Sequence, residues 1–96
     1  MNNKISPKDF GEIKNLVNVI INAYCQKEVA NEIMRLEFIS NALGVAPNIR
    51  NVLSEIASYS KEASKYKPNQ KEHWVWEVKS ALYRLELYAE QVVDNE

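Results

Sequence analysis

A single cysteine, a single histidine, two glycines and three prolines stand among the 96 residues of this chain. With one cysteine, Cys25, no internal disulfide framework exists, and a reducing compartment is the expectation. So few glycines and prolines argue against an all-β fold, which needs turn residues at short intervals. The apolar runs stop at three or four residues, so nothing is built to cross a membrane. The first residues, MNNKISPKDF, contain no apolar signal core. Charge of one sign is also missing. Twelve basic and thirteen acidic residues leave a formal charge of -1, so no global field draws the chain to a polyanion. The expectation is one soluble, cytoplasmic domain over residues 1–96. Its many Asn, Lys and Ile suggest an AT-rich bacterial or phage gene.

What is present is helical periodicity. Ser6-Pro7-Lys8-Asp9 combines a good N-cap, a proline suited to the first helical position and an acid at the positive helix start. Phe10, Ile13, Val17, Ile20 and Tyr24 follow in steps of three and four and share one face, widened by Leu16 and Ile21. A second stripe, Val29, Ile33, Leu36 and Leu43, is rotated by roughly 140° from the first at about 100° per residue. A break is therefore expected in the polar stretch Cys25–Glu28; a single long kinked helix is the alternative.

Gly44 is expected to end the second helix as a left-handed cap, and Pro47 or Asn48 to start the third. Ile49, Val52, Leu53, Ile56, Ser60 and Ala63 define that helix's buried face, and Pro68 stops it. Asn69-Gln70-Lys71-Glu72 reads as a capping box opening a fourth helix. Val75, Val78, Leu82, Leu85, Ala89 and Val92 give its core stripe, with an end expected near Val93. Four one-sided helices on short connections predict an all-α, antiparallel bundle of about four helices.

Residues 36–56 resemble a helix-turn-helix, with Asn48, Arg50 and Asn51 at the front of the second helix, where base-reading side chains would stand. The pattern is out of register. Arg50 occupies the position where such motifs place an apolar residue, and Ile49 comes one residue early. Glu32, Glu37 and Glu55 sit where a phosphate-facing motif would place bases. Lys61, Lys65, Lys67 and Lys71 cluster elsewhere, around Pro68, as a solvated surface. The first reading of this stretch is a corner between core helices, and a DNA-binding regulator is the alternative.

Chemistry is sparse. His73 has no second histidine or cysteine at ligand spacing, so neither a metal nor any other cofactor is expected. Cys25 reads as a small buried or half-buried thiol. A small helical enzyme would need Arg35, Arg50 and Arg84, dispersed over three helices, to converge.

The most informative departure from a plain core pattern is on the fourth helix. Trp76, Tyr83 and Leu87 at i, i+7 and i+11 form a second stripe roughly opposite Val78, Leu82 and Leu85. If the main stripe faces the core, these three anchor a protein partner or a second copy of the chain. If the helix is covered on both sides, they are core. Glu72, Glu86 and Glu90 lie near them, and residues 86–96 hold four acids and no base. Aromatic anchors rimmed by acid suit a basic protein. The expected function is thus a non-catalytic protein-binding module, in particular a small neutralising protein that blocks a nuclease-like toxin. In size and character the chain is similar to colicin-type immunity proteins, with no motif in common; the likeness is one of class.

Overall fold

A computed structural model describes residues 2–90 of the chain. Four α-helices, α1 (Pro7–Ile21), α2 (Ala30–Ala42), α3 (Pro47–Ala63) and α4 (Glu72–Glu86), form an all-α bundle. Single turns of 3-10 helix precede α2 (Gln26–Val29) and α4 (Pro68–Gln70). Ion pairs join successive helices: Glu12 meets Arg35 between α1 and α2, Glu37 meets Lys61 between α2 and α3, and Glu55 meets Arg84 between α3 and α4.

Each helix contributes most of the apolar stripe that its spacing predicts, although on α4 Ala81 is buried while Val75 and Leu82 are only half-buried. Ile13, Val17 and Ile20 of α1 meet Ile33, Leu36 and Ile39 of α2, together with Ile49, Leu53 and Ile56 of α3 and Val78, Ala81 and Leu85 of α4. All six residues expected on the α3 face are buried. The Ser6 hydroxyl accepts from the Asp9 N–H at 3.1 Å, so the predicted cap of α1 forms. α1 and α2 are separate helices: the chain turns over residues 22–25, and the Glu28 carboxylate accepts the Cys25 N–H at 2.9 Å.

The structure departs from the sequence reading at the ends of α1 and α2 and at both ends of α4, while α3 starts at Pro47 as expected. Gly44 is not left-handed; among the described residues none has positive φ. Leu43 already leaves the helix extended (φ -69, ψ 133), so no left-handed residue is needed. A Cβ at Gly44 would meet open space. The expected capping box at Asn69 is absent: Asn69 lies within the 3-10 turn, and Lys71 precedes α4 with no side-chain cap. Tyr24 lies beyond the end of α1 and is 68% exposed rather than part of its face. Cys25 is exposed, not buried.

α4 stops at Glu86 rather than near Val93, because the chain turns back to meet the N-terminus. The Ile5 N–H donates to the Tyr88 carbonyl at 2.9 Å, and the Glu90 N–H donates to the Ile5 carbonyl at 2.8 Å. The same N-terminal segment reaches the α2–α3 corner. There the Asn2 N–H donates to the Gly44 carbonyl (3.0 Å) and the Ala46 N–H to the Asn2 carbonyl (2.8 Å). Four backbone hydrogen bonds thus clasp two distant turns around Ile5, which is 1% exposed. The expected Val92 position lies outside the described residues.

Among the described residues one buried group is left without a partner. The Ser60 hydroxyl, in the interior on α3, has no hydrogen-bond partner, and a buried hydroxyl without a partner is destabilising by about 1–3 kcal/mol. Ser60→Ala removes that hydroxyl and improves helix propensity. It is expected to stabilise the fold by about 1 kcal/mol, read as a rise in Tm of roughly 4–8 °C; an unchanged or lower Tm would show that the hydroxyl is satisfied in solution.

Candidate functional site

α4 is amphipathic twice over. Val78, Ala81 and Leu85 point inward and are buried, and about 180° round the helix Trp76, Tyr83 and Leu87 point outward. Their exposures of 64%, 66% and 65% show that the second stripe is not covered by a neighbouring helix. The reason is the placement of α4. It lies mainly on α3 and touches α1, so its far side has no neighbouring helix among the described residues. Trp74 and Tyr59, by contrast, pack ring to ring at 6.0 Å in the half-buried margin between α3 and α4.

The stripe borders a shallow groove of about 450 Å³ lined by Trp76, Lys79, Ser80, Tyr83 and Arg84. Arg84 lies in a bidentate ion pair with Glu55, at 3.0 and 3.2 Å. That hydrogen-bonded carboxylate raises its pKa, so its charge is neutralised locally. Glu86 and Glu90, both exposed, line a different hollow, between α4 and α1, with Phe10, Gly11 and Lys14. Lys79 borders that same α1 flank, near Lys14 and Leu82. The charges around the stripe are therefore mixed, and the acidic rim expected from sequence is not formed among the described residues. The acids at Asp94 and Glu96 lie outside them.

Two cationic side chains singled out by sequence have structural partners instead of ligands. Arg50 donates from Nη1 to the carbonyls of Ser40 (3.4 Å) and Asn41 (3.0 Å) and from Nη2 to that of Leu43 (2.6 Å). It closes the C-terminal end of α2, where orphan carbonyls and the negative end of the helix dipole attract a cation. Its offset from the helix-turn-helix register has this physical cause. Asn48 and Asn51 remain exposed, without the arginine that was to join them.

Lys71 is likewise not part of a solvated basic cluster. It is 2% exposed, and its Nζ donates to the carbonyls of Ile21 (3.1 Å) and Ala23 (2.7 Å) at the end of α1. Of the other lysines in that cluster, Lys61 pairs with Glu37 and Lys65 with Glu62. The Glu62 carboxylate, hydrogen-bonded to Lys65, raises the lysine's pKa.

The three arginines do not converge. Arg35 pairs with Glu12 at 2.9 Å, Arg50 caps α2 and Arg84 pairs with Glu55. His73 is exposed and edges against Trp74 at 5.0 Å. Among the described residues no three His, Cys, Asp or Glu side chains gather as a metal site, and no helix is long and apolar enough to cross a membrane.

Met34 and Phe38, one turn apart on the outer face of α2, are also exposed, with the Arg35 guanidinium 5.7 Å from the Phe38 ring. Sequence reasoning missed them. The signal was their position off the Ile33-Leu36 stripe, the same signal that marked Trp76 and Tyr83. The chain matches no protein-family model, no curated protein and no solved structure, so function has to be argued from its own geometry.

Proposed function

We propose that this chain is a non-catalytic protein-binding module whose docking face is the Trp76–Tyr83–Leu87 stripe of α4. The observation that supports the reading is the alignment of three large apolar side chains, each about two-thirds exposed, along one rigid helix whose opposite side is fully packed. Scattered exposed hydrophobics are ordinary, whereas a row along one helix face containing Trp and Tyr has the composition of interface anchors. A narrower role, neutralising a basic nuclease-like toxin, draws its support from Glu86 and Glu90 alone, because Lys79 and Arg84 stand beside the aromatics.

The test compares the parent chain with Trp76→Ala/Tyr83→Ala, each immobilised and exposed to lysate of the source cell. Both substitutions lie on the surface, so helical content and Tm are expected to stay close to the parent. Capture of whatever protein the parent retains, its own chain included, is expected to fall about a hundredfold. Equal capture by parent and variant would remove the stripe from the interface and the reading with it.

A further inference from the structure

The stripe carries, on its α1 flank, two exposed groups of opposite charge spaced two helical turns apart, Lys79 and Glu86. Neither takes part in an ion pair among the described residues. Seven residues amount to about 10 Å along the helix and nearly the same angle around it. We infer that the occupant of this face is a second copy of the chain, docked α4 against α4 in antiparallel orientation about a two-fold axis near Leu82 and Tyr83. The inference rests on the reading of the stripe as a docking face.

A two-fold axis lying in the interface and perpendicular to the helices brings the same flank of each α4 together, with chain direction reversed. Lys79 of each copy then faces Glu86 of the other, and two complementary pairs form from one self-complementary sequence. In the same register Leu87 of each copy falls at the level between Trp76 and Tyr83 of the other, which fills the gap that Ser80 leaves in the row. The opposite flank of α4 carries Arg84, whose charge Glu55 already neutralises at 3.0 Å, so its approach to its counterpart meets little repulsion.

The area is adequate for a reversible dimer. Aromatic side chains offer 150–250 Å² each. At about two-thirds exposure, the three anchors of two copies together present roughly 800 Å², before the flanking Lys79, Ser80 and Glu86 are added. That is below the roughly 1,200 Å² at which standard specific interfaces begin, so the dimer is expected to be weak and quickly exchanging rather than obligate.

Sedimentation equilibrium of the full chain, from low micromolar to several hundred micromolar, is expected to show a monomer–dimer equilibrium. Lys79→Glu alone and Glu86→Lys alone each create two like-charge contacts per dimer and are expected to weaken it at least about tenfold. The double exchange, Lys79→Glu with Glu86→Lys, restores both pairs and is expected to bring the dimer back to near the parent constant. Trp76→Ala/Tyr83→Ala weakens it about a hundredfold. A chain that stays monomeric throughout overturns the inference, as does a double exchange no better than either single one. If the chain is monomeric while stripe-dependent capture of another protein persists, the docking face stands and only the second copy is wrong. If both are lost, the docking face itself falls. Should the aromatic variant lose helix, the charge exchange decides alone.

Discussion

Replacing Lys71 by methionine is expected to destabilise the fold by about 2–3 kcal/mol and to lower Tm by roughly 10–20 °C, although the substitution keeps nearly the same side-chain volume. The ammonium of Lys71 is held 2.7 Å from the Ala23 carbonyl and 3.1 Å from that of Ile21, in a site where it is 2% exposed. Methionine donates nothing, so two carbonyls at the end of α1 lose their partner inside the protein, and each unsatisfied acceptor is unfavourable. The saving is the desolvation of the ammonium, which methionine avoids; it offsets part of the loss. α1 has no basic residue in its own last turn, so nothing local replaces the cation at the negative end of the helix dipole. A melt within about 3 °C of the parent would mean that water serves those carbonyls as well as Lys71 does, contrary to the cost expected for a buried acceptor.

The same site sets a pH dependence. Burial lowers the Lys71 pKa. Between that lowered value and the unfolded value near about 10.4, the unfolded chain binds more protons than the folded one, and stability rises with pH. The burden of holding a desolvated charge is present in full below the folded pKa and is relieved by the unfolded pKa. In urea titrations over this alkaline window, the parent is expected to gain stability from this group relative to Lys71→Met. Parallel profiles for the two chains would show that the amine does not titrate differently on folding.

Ile5→Ala is expected to destabilise by about 3–4 kcal/mol, in the upper range for removing a fully buried aliphatic side chain. Ile5 is 1% exposed and belongs to the same buried cluster as Ile13, Leu53 and Leu85. Its backbone joins Tyr88 and Glu90 while Asn2, three residues earlier, joins Gly44 and Ala46. Loss of the side chain leaves a cavity and weakens the anchoring of this segment at both turns. In hydrogen exchange, the amides of Ile5, Ala46 and Glu90 should lose protection together in the variant, ahead of those in α3. Independent loss at the two turns, or a chemical denaturation midpoint close to the parent, would show that the clasp is not one cooperative unit.

How far the site could be read follows from particular residues. Trp76, Tyr83 and Leu87 were visible as a second stripe because their spacing is a property of one helix. Their exposure was not, because it depends on how many neighbours α4 acquires. Glu86 and Glu90 were read as neighbours of the stripe on a helix running to about Val93, whereas α4 ends at Glu86 and the return of the chain at Ala89 to pair with Ile5 fixes the hollow they line. Lys71 was misread as a solvated side chain, and the carbonyl partners of Arg50 were not foreseen, since a long cation looks the same in sequence whether its charge meets water or a carbonyl.

By itself the sequence determined an all-α bundle of about four helices and most of their buried faces from Ile13 to Leu85. Each follows from residue spacing and local chain preference over a few turns. Tertiary structure alone decided which apolar stripe of α4 was left bare, which cations closed α1 and α2, and where α4 ended. The Lys71 contact with Ile21 spans 50 positions and the Ile5 contacts reach Tyr88 and Glu90. An orphan carbonyl specifies that it needs a donor, but the donor's identity depends on which distant segment the packing of the core brings within 3 Å or so.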